Sequence, residues 1–136
     1  MKPIFVDTSA LIALGNKRDK FHIQAFKINN ELRQTNMHYV TTSAIVLEFG
    51  NAFSSTNLKS TAIQIIESIN MSKKWKCIDV DRSIFEHGFK RYKNYLDKAW
   101  GLVDCISMIV AIKLGIIEIF TADKHFEQAG FKILLK

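Results

Sequence analysis

Four carboxylates sit where the sequence gives a charge no easy home. They are Asp7 in Ile4-Phe5-Val6-Asp7-Thr8, Glu48 in Val46-Leu47-Glu48-Phe49, Asp104 in Leu102-Val103-Asp104-Cys105, and Asp123 in Phe120-Thr121-Ala122-Asp123. Each lies in or beside an apolar run, and burying a charge is costly unless it is paired, hydrogen-bonded or bound to a metal. If the four converge, their mutual repulsion raises their pKa values unless a cation compensates. Oxygen-only ligands favour Mg²⁺ or Mn²⁺ over zinc. The chemistry on offer is therefore that of a hard divalent cation held by carboxylates.

Each acid also has a plainer role that the sequence leaves open. Asp7 and Asp123 stand where they would cap a following helix, a role worth about 1 kcal/mol. Glu48 falls in mid-helix, where capping cannot explain it. Its neighbours three and four residues away, Ala44, Ile45, Asn51 and Ala52, are mostly small, and the alternative for it is an exposed place on the helix's polar stripe. Asp104 lies near the start of the most hydrophobic helix, where a negative charge is electrostatically welcome. The histidines His22, His38, His87 and His125 show no metal-ligand spacing and read as surface or locally satisfied residues.

The elements that must position these acids follow from periodicity and punctuation. Ile4 to Val6 predicts a strand, Thr8 to Leu14 a helix, Gly15 to Lys20 a polar turn, and Phe21 to Gln34 a helix with Phe21, Ala25, Ile28 and Leu32 on one side. Tyr39 and Val40 predict a short strand, after which Thr41 or Thr42 caps a helix to about Phe53. Leu58 to Asn70 predicts a helix packing through Ile63, Ile66 and Ile69. Cys77 to Val80 follows as a strand, and Asp81 caps a helix from Ser83 to Leu96 that carries Phe85, Phe89, Tyr92 and Leu96. Val103 to Leu114 is apolar nearly all round, as a buried central helix would be. A strand from Ile116 to Phe120, a short helix from Lys124 to Ala129 and a strand from Lys132 to Leu135 complete the chain. Strands alternating with helices imply an α/β fold with a mainly parallel sheet, and such sheets gather functional groups beyond the carboxyl ends of their strands. Asp7 and Asp123 fall at two such ends.

With 136 residues, 48% of them hydrophobic, the chain is long enough for one globular domain without disulfides or a structural metal. The longest apolar run, Cys105 to Ile112, falls well short of the ~20 residues a membrane-spanning helix needs. Met1-Lys2-Pro3 leads into a strand without a signal-peptide pattern, so the expected location is cytoplasmic. Cys77 and Cys105 lie far apart and read as buried free thiols. The net charge of +6 points to an anionic partner, with nucleic acid foremost.

The acids and their flanks resemble a PIN domain, and more narrowly a VapC-type toxin of a bacterial toxin–antitoxin pair. The matching stretches are FVDTSALIAL, TTSAIVLEFGNA, DKAWGLVDCISM and FTADKHFEQAGF, which follow the family's order from Phe5 to Phe131. The resemblance implies a three-layer α/β/α fold and a metal-dependent ribonuclease using Mg²⁺ or Mn²⁺. It implies Asp7, Glu48, Asp104 and Asp123 as the acidic cluster, with Glu48 reaching metal directly or through water. Thr8 and Thr121 match small hydroxyl positions beside those acids. Asp97 matches an acid common in relatives, although a surface charge explains it equally well. Gly101 departs from the pattern, because relatives often carry Ser there. By the same resemblance, cleavage leaves a 5′-phosphate and a 3′-hydroxyl, the partners are RNA and a cognate antitoxin, the assembly is a homodimer, and a basic antitoxin side chain among the acids would silence the enzyme.

RNA also needs cations. Lys73-Lys74-Trp75-Lys76 and Lys90-Arg91-Tyr92-Lys93 mix basic residues with aromatics that can stack on unpaired bases, although solvated helix faces give the same pattern. Two other functions compete. A Mg²⁺-dependent phosphatase or phosphotransfer domain also uses a sheet-end Asp, but Asp7 lacks the second acid of a DxD pair and Glu48 would have no task. A noncatalytic RNA- or antitoxin-binding protein would have no need to keep all four acids.

Overall fold

Short β-branched and aromatic runs become strands here, and those ending at Val6, Thr42 and Phe120 stop where hydroxyl and carboxylate residues lead into a helix. The computed structural model describes residues 3–136. Met1 and Lys2, on which the expectation of no signal peptide partly rests, lie outside the described residues. In chain order the elements are β1 (Ile4–Val6), α1 (Thr8–Gly15), α2 (His22–Gln34), β2 (Tyr39–Thr42), α3 (Ser43–Ala52), α4 (Thr56–Met71), β3 (Trp75–Ile78), α5 (Arg82–Asn94), α6 (Leu102–Lys113), β4 (Glu118–Phe120), α7 (Lys124–Gln128) and β5 (Lys132–Ile133).

The five strands form one sheet in the order β3-β2-β1-β4-β5, and every pairing is parallel. Helices α1 to α4 pack against one another, as do α5, α6 and α7. The result is the three-layer α/β/α arrangement. Phe5 pairs with Ile119 and Val6 with Phe120, so the ends of β1 and β4 lie side by side. The connections run outward in opposite directions from this pair, which makes it the topological switch point where a crevice opens. Asp7 and Thr121 are the next residues beyond it.

The core centres on β1, β4 and α6. Phe5, Ile119, Cys105, Met108 and Ala111 are fully buried there, and all belong to one cluster with Phe49, Phe120 and Phe126. Helices α5 and α6 approach closely at Gly88, where an added Cβ would lie 2.5 Å from Ile106 Cγ1 and 3.1 Å from Ile106 Cα. Among the described residues, no helix is long and apolar enough to cross a membrane. Both cysteines are free, Cys105 buried and Cys77 half-buried.

Several expectations need correction. The strand expected over Cys77 to Val80 lies two residues earlier, because Trp75 pairs with and stacks on Tyr39 at 4.9 Å while the Val80 N–H leaves the sheet to bond Ser43 Oγ. Strand β2 runs on through Thr41 and Thr42. Thr42 is the residue that caps α3. Of the three isoleucines expected to pack from α4, Ile69 is buried and Ile66 packs against the core, whereas Ile63 is half exposed and Ala62 and Ile65 take its place. On α5 the expected apolar stripe is largely in solvent: Phe89 and Tyr92 are exposed, and Leu96, beyond the helix end, is 89% exposed.

Candidate active site

Asp7 occupies the N-cap position of α1 with extended backbone, yet its side chain makes no capping hydrogen bond. The carboxylate turns across the sheet end instead. Thr121 Oγ1 donates to Asp7 Oδ2 at 2.7 Å, and Ser9 Oγ stands 3.3 Å from the same oxygen. The two hydroxyls meet at 2.8 Å. Ser9 Oγ also accepts from the Ala122 N–H at 3.0 Å, and Thr121 Oγ1 accepts from the Asp123 N–H at 3.0 Å. This lattice ties the end of β1 to the loop after β4. Sequence reasoning passed over Ser9, although its place in a run of carboxylate and hydroxyl residues was a usable signal.

Asp7 is buried. Its carboxyl is pushed up to about 6, first by burial and then by the nearby charges of Asp104 and Asp123, while bonds from the Thr121 hydroxyl and the Thr8 backbone pull it down. The Thr121 hydroxyl links the Asp7 carboxylate to the Asp123 backbone. Glu48 approaches from α3: although the residue is largely exposed, its Oε1 accepts a hydrogen bond from Thr8 Oγ1. Glu48 is thus exposed, as the polar-stripe reading has it, and also tied to Thr8 beside Asp7.

Asp104 and Asp123 keep the capping roles that remained open for them. Asp104, in the first turn of α6, accepts from the Gly101 N–H at 3.0 Å through Oδ2. Gly101 is the N-cap of that helix and has no side chain to return the bond. A serine hydroxyl at this position would complete a capping box. Asp123 Oδ1 accepts from the His125 N–H at 2.9 Å. Capping and a shared site are compatible, because the free oxygens of a capping carboxylate still face outward.

His125 corrects the reading of the histidines. Its Nδ1 lies 3.0 Å from Asp104 Oδ2 and 3.3 Å from Asp123 Oδ1. Ligand atoms of Asp104, Asp123 and His125 all lie within 4.8 Å of one another, a spacing that suits a cation. By contrast, His22 and His87 each bond a backbone carbonyl, of Ala13 and Ser83, at 2.7 Å, as local satisfaction predicts.

The basic runs fall elsewhere. Lys73 and Lys74 precede β3, and the Lys74 carbonyl accepts from the Tyr39 N–H at the start of β2, so both lie at the amino ends of the parallel strands, away from the carboxyl ends that Asp7 and Asp123 follow. Lys76 is exposed on the edge strand. Arg91 is held against two rings. Its guanidinium packs over Tyr95 at 4.9 Å and Trp100 at 5.1 Å, and its Nε approaches Met108 Sδ at 3.4 Å. Lys93 lies over the Phe89 ring at 4.8 Å, and Lys90 is exposed. Asp97 sits on an exposed turn beside Lys98 Nζ at 3.6 Å.

A profile of the PIN domain matches residues 4–132. No curated protein sequence matches the chain. Among solved structures, Mycobacterium tuberculosis VapC20, described as a toxin that cleaves the sarcin-ricin loop, superposes with a TM-score of 0.83 at 24% identity, over 94% of this chain and 95% of its own. A chain from Rickettsia felis VapBC2 bound to a fragment of promoter DNA gives 0.68 at 13% identity, over 96% of both chains. DNA-bound VapBC from Salmonella typhimurium gives 0.65 at 15% identity, over 98% of this chain and 97% of the other.

Proposed function

The chain belongs to the PIN domain family, and on that premise we propose that it is a metal-dependent endoribonuclease, the toxin of a type II toxin–antitoxin pair, with residues 1–136 as one catalytic domain. The observation that carries this reading is the grouping of Asp104 and Asp123 with His125, ligand atoms within 4.8 Å of one another, next to Asp7, whose Oδ2 accepts from the same Thr121 hydroxyl that the Asp123 N–H meets. Acids drawn together without a counter-ion cost stability, and a cation reverses that cost. The donor set of carboxylate oxygens fits Mg²⁺ or Mn²⁺. VapC20, a toxin of known RNA target, has the same fold over nearly the whole chain.

In this reading Asp7, Asp104 and Asp123 hold the metal, and Glu48 reaches it directly or through a water. A bound Mg²⁺ or Mn²⁺ supplies a water of lowered pKa and neutralises charge gathering on the phosphate and the leaving oxygen. The chain's own residues do the positioning. Thr121 and Ser9 fix the Asp7 carboxylate, Thr8 fixes Glu48, and the Gly101 N–H and His125 fix Asp104. No side chain needs to act as a nucleophile, and the products carry a 5′-phosphate and a 3′-hydroxyl.

The test is cleavage of RNA by the purified protein with Mg²⁺ or Mn²⁺, loss of cleavage on adding EDTA, and loss in Asp7→Asn and Asp104→Asn. Undiminished cleavage by both folded variants overturns the site. The proposed partners are a cognate antitoxin and a second copy of the chain. Co-purification with the product of a small adjacent gene, together with relief of toxicity on co-expression, tests the first, and sedimentation of the free protein tests the second. The site for antitoxin silencing would be the same acidic crevice, and a complex that leaves the crevice open would refute it.

A further inference from the structure

The aromatic residues toward the end of α5 are exposed, and the recess they line borders Asp104. Tyr92 and Tyr95 are 45% and 39% exposed, and with Lys98, Trp100 and Gly101 they line a recess of about 410 Å³. That volume is in the range of a small-ligand pocket. Gly101 joins the recess to the active site, since its N–H donates to Asp104. Tyr95 packs against buried Trp100 at 4.8 Å, and Arg91 clamps both rings, so this wall is held in place. Of the residues lining the recess only Lys98 is charged, with the acids Asp97 and Asp104 beside it and the basic helix α5 carrying Tyr92. Lys90 and Lys93 stand on the same helix, and Lys98 is engaged only by the exposed Asp97, a pairing weak enough to yield to a phosphate.

We propose that this recess receives an unpaired base of the substrate RNA adjoining the scissile phosphate, stacked on Tyr92, with Lys98 on a neighbouring phosphate. Rings beside cations suit single-stranded RNA, whose bases offer a π-face and whose backbone offers charge. Continuity with Asp104 favours this occupant over a second protein, because a base seated here carries its phosphate toward the acids. The inference rests on the ribonuclease reading but can fail separately from it.

The experiment measures binding of labelled single-stranded octaribonucleotides of A, C, G or U, and of a duplex of equal length, by fluorescence anisotropy in EDTA, where no cleavage occurs. Tyr92→Ala is expected to weaken single-strand binding about 5- to 150-fold, the loss of one stacked base. Tyr92→Phe, which keeps the ring, binds as wild type, and neither substitution changes duplex binding. Lys98→Gln lowers the salt slope by about 0.7. With Mg²⁺, Tyr92→Ala raises KM for RNA.

Equal single-strand affinity for Tyr92→Ala and wild type overturns the proposal. So does a Tyr92→Ala protein that loses self-association while binding RNA normally, which would mark this face as a subunit contact. If the wild type cleaves RNA and Tyr92→Ala matches its Kd and KM, the recess reading falls and the ribonuclease reading stands. If single strands bind through Tyr92 and no RNA is cleaved with either metal, the recess stands and the ribonuclease reading falls.

Discussion

The hydroxyl of Thr8 donates to the carboxylate of Glu48, which lies 40 residues further along the chain. Thr8 is buried at the start of α1, whereas Glu48 sits on an exposed part of α3. The bond ties the Glu48 side chain to the first residue of α1, the chain neighbour of Asp7. Thr8→Val keeps the shape and removes the donor. We expect metal-dependent cleavage to fall about 10- to 100-fold, the usual cost of losing a partner that orients a ligand, while Thr8→Ser retains activity. Steady-state kinetics on one RNA substrate checks this, and an unaffected Thr8→Val enzyme would remove Thr8 from the mechanism.

Asp7→Asn should abolish cleavage and also stabilise the metal-free fold. The Asp7 carboxyl titrates at about 6 in the folded protein against 3.8 for the free group, so the fold prefers its neutral form. Below about pH 4 the group is protonated in both states and costs nothing. As pH rises toward 6 the unfolded chain releases the proton first, and stability falls by roughly 2–3 kcal/mol, a loss that persists at neutral pH. Urea unfolding of wild type and Asp7→Asn in EDTA, at pH 4 and pH 7, reads the difference. The two curves should converge at the lower pH.

Metal should offset that penalty. Adding Mg²⁺ or Mn²⁺ at pH 7 is expected to raise Tm, with a gain of about 1.4 kcal/mol at ten times Kd. Asp104→Asn and Asp123→Asn should blunt the rise. A thermal melt against metal concentration shows it, and equal shifts in wild type and both variants would place the cation elsewhere.

Gly88→Ala should destabilise the protein even though alanine favours helix by ~1 kcal/mol. The new methyl would meet both the side chain and the backbone of Ile106. Forcing α5 from α6 is expected to cost about 1–3 kcal/mol net. Adding Ile106→Ala should produce a double variant whose loss is smaller than the sum of the two, because the side-chain clash is then removed. Denaturant unfolding measures all three proteins.

Lys73→Ala and Lys74→Ala should leave kcat unchanged and KM within about twofold, because both residues lie at the amino ends of the parallel strands, away from the acids, and a solvated lysine is worth little at that distance. A large loss in either variant would show that RNA wraps around the sheet.

Much of this was legible before any coordinates. The ends of β1 and β4 are marked by apolar runs that stop at hydroxyl and carboxylate residues, and a parallel sheet aims such ends at one crevice. The parallel sheet followed from that, while the three-layer fold and the ordered set of acids came from the resemblance to the PIN domain. The basic and aromatic runs were only partly legible, for a physical reason. Charge and ring content show that a residue can meet RNA, but not which end of the sheet carries it. Lys74 and Arg91 look alike in the sequence, yet one lies at the amino ends of the strands and the other is held against Tyr95 and Trp100.

By itself the sequence determined the elements and the kinds of atoms available, because periodicity and capping act over a few residues. Tertiary structure alone decided that Ser9 and Thr121 brace Asp7, that Thr8 reaches Glu48, that His125 joins Asp104, and that Tyr92 faces solvent. Those contacts join residues up to 114 positions apart. Their geometry follows from the β1–β4 register and the α5–α6 approach at Gly88, both set by packing across the whole core and by no local pattern.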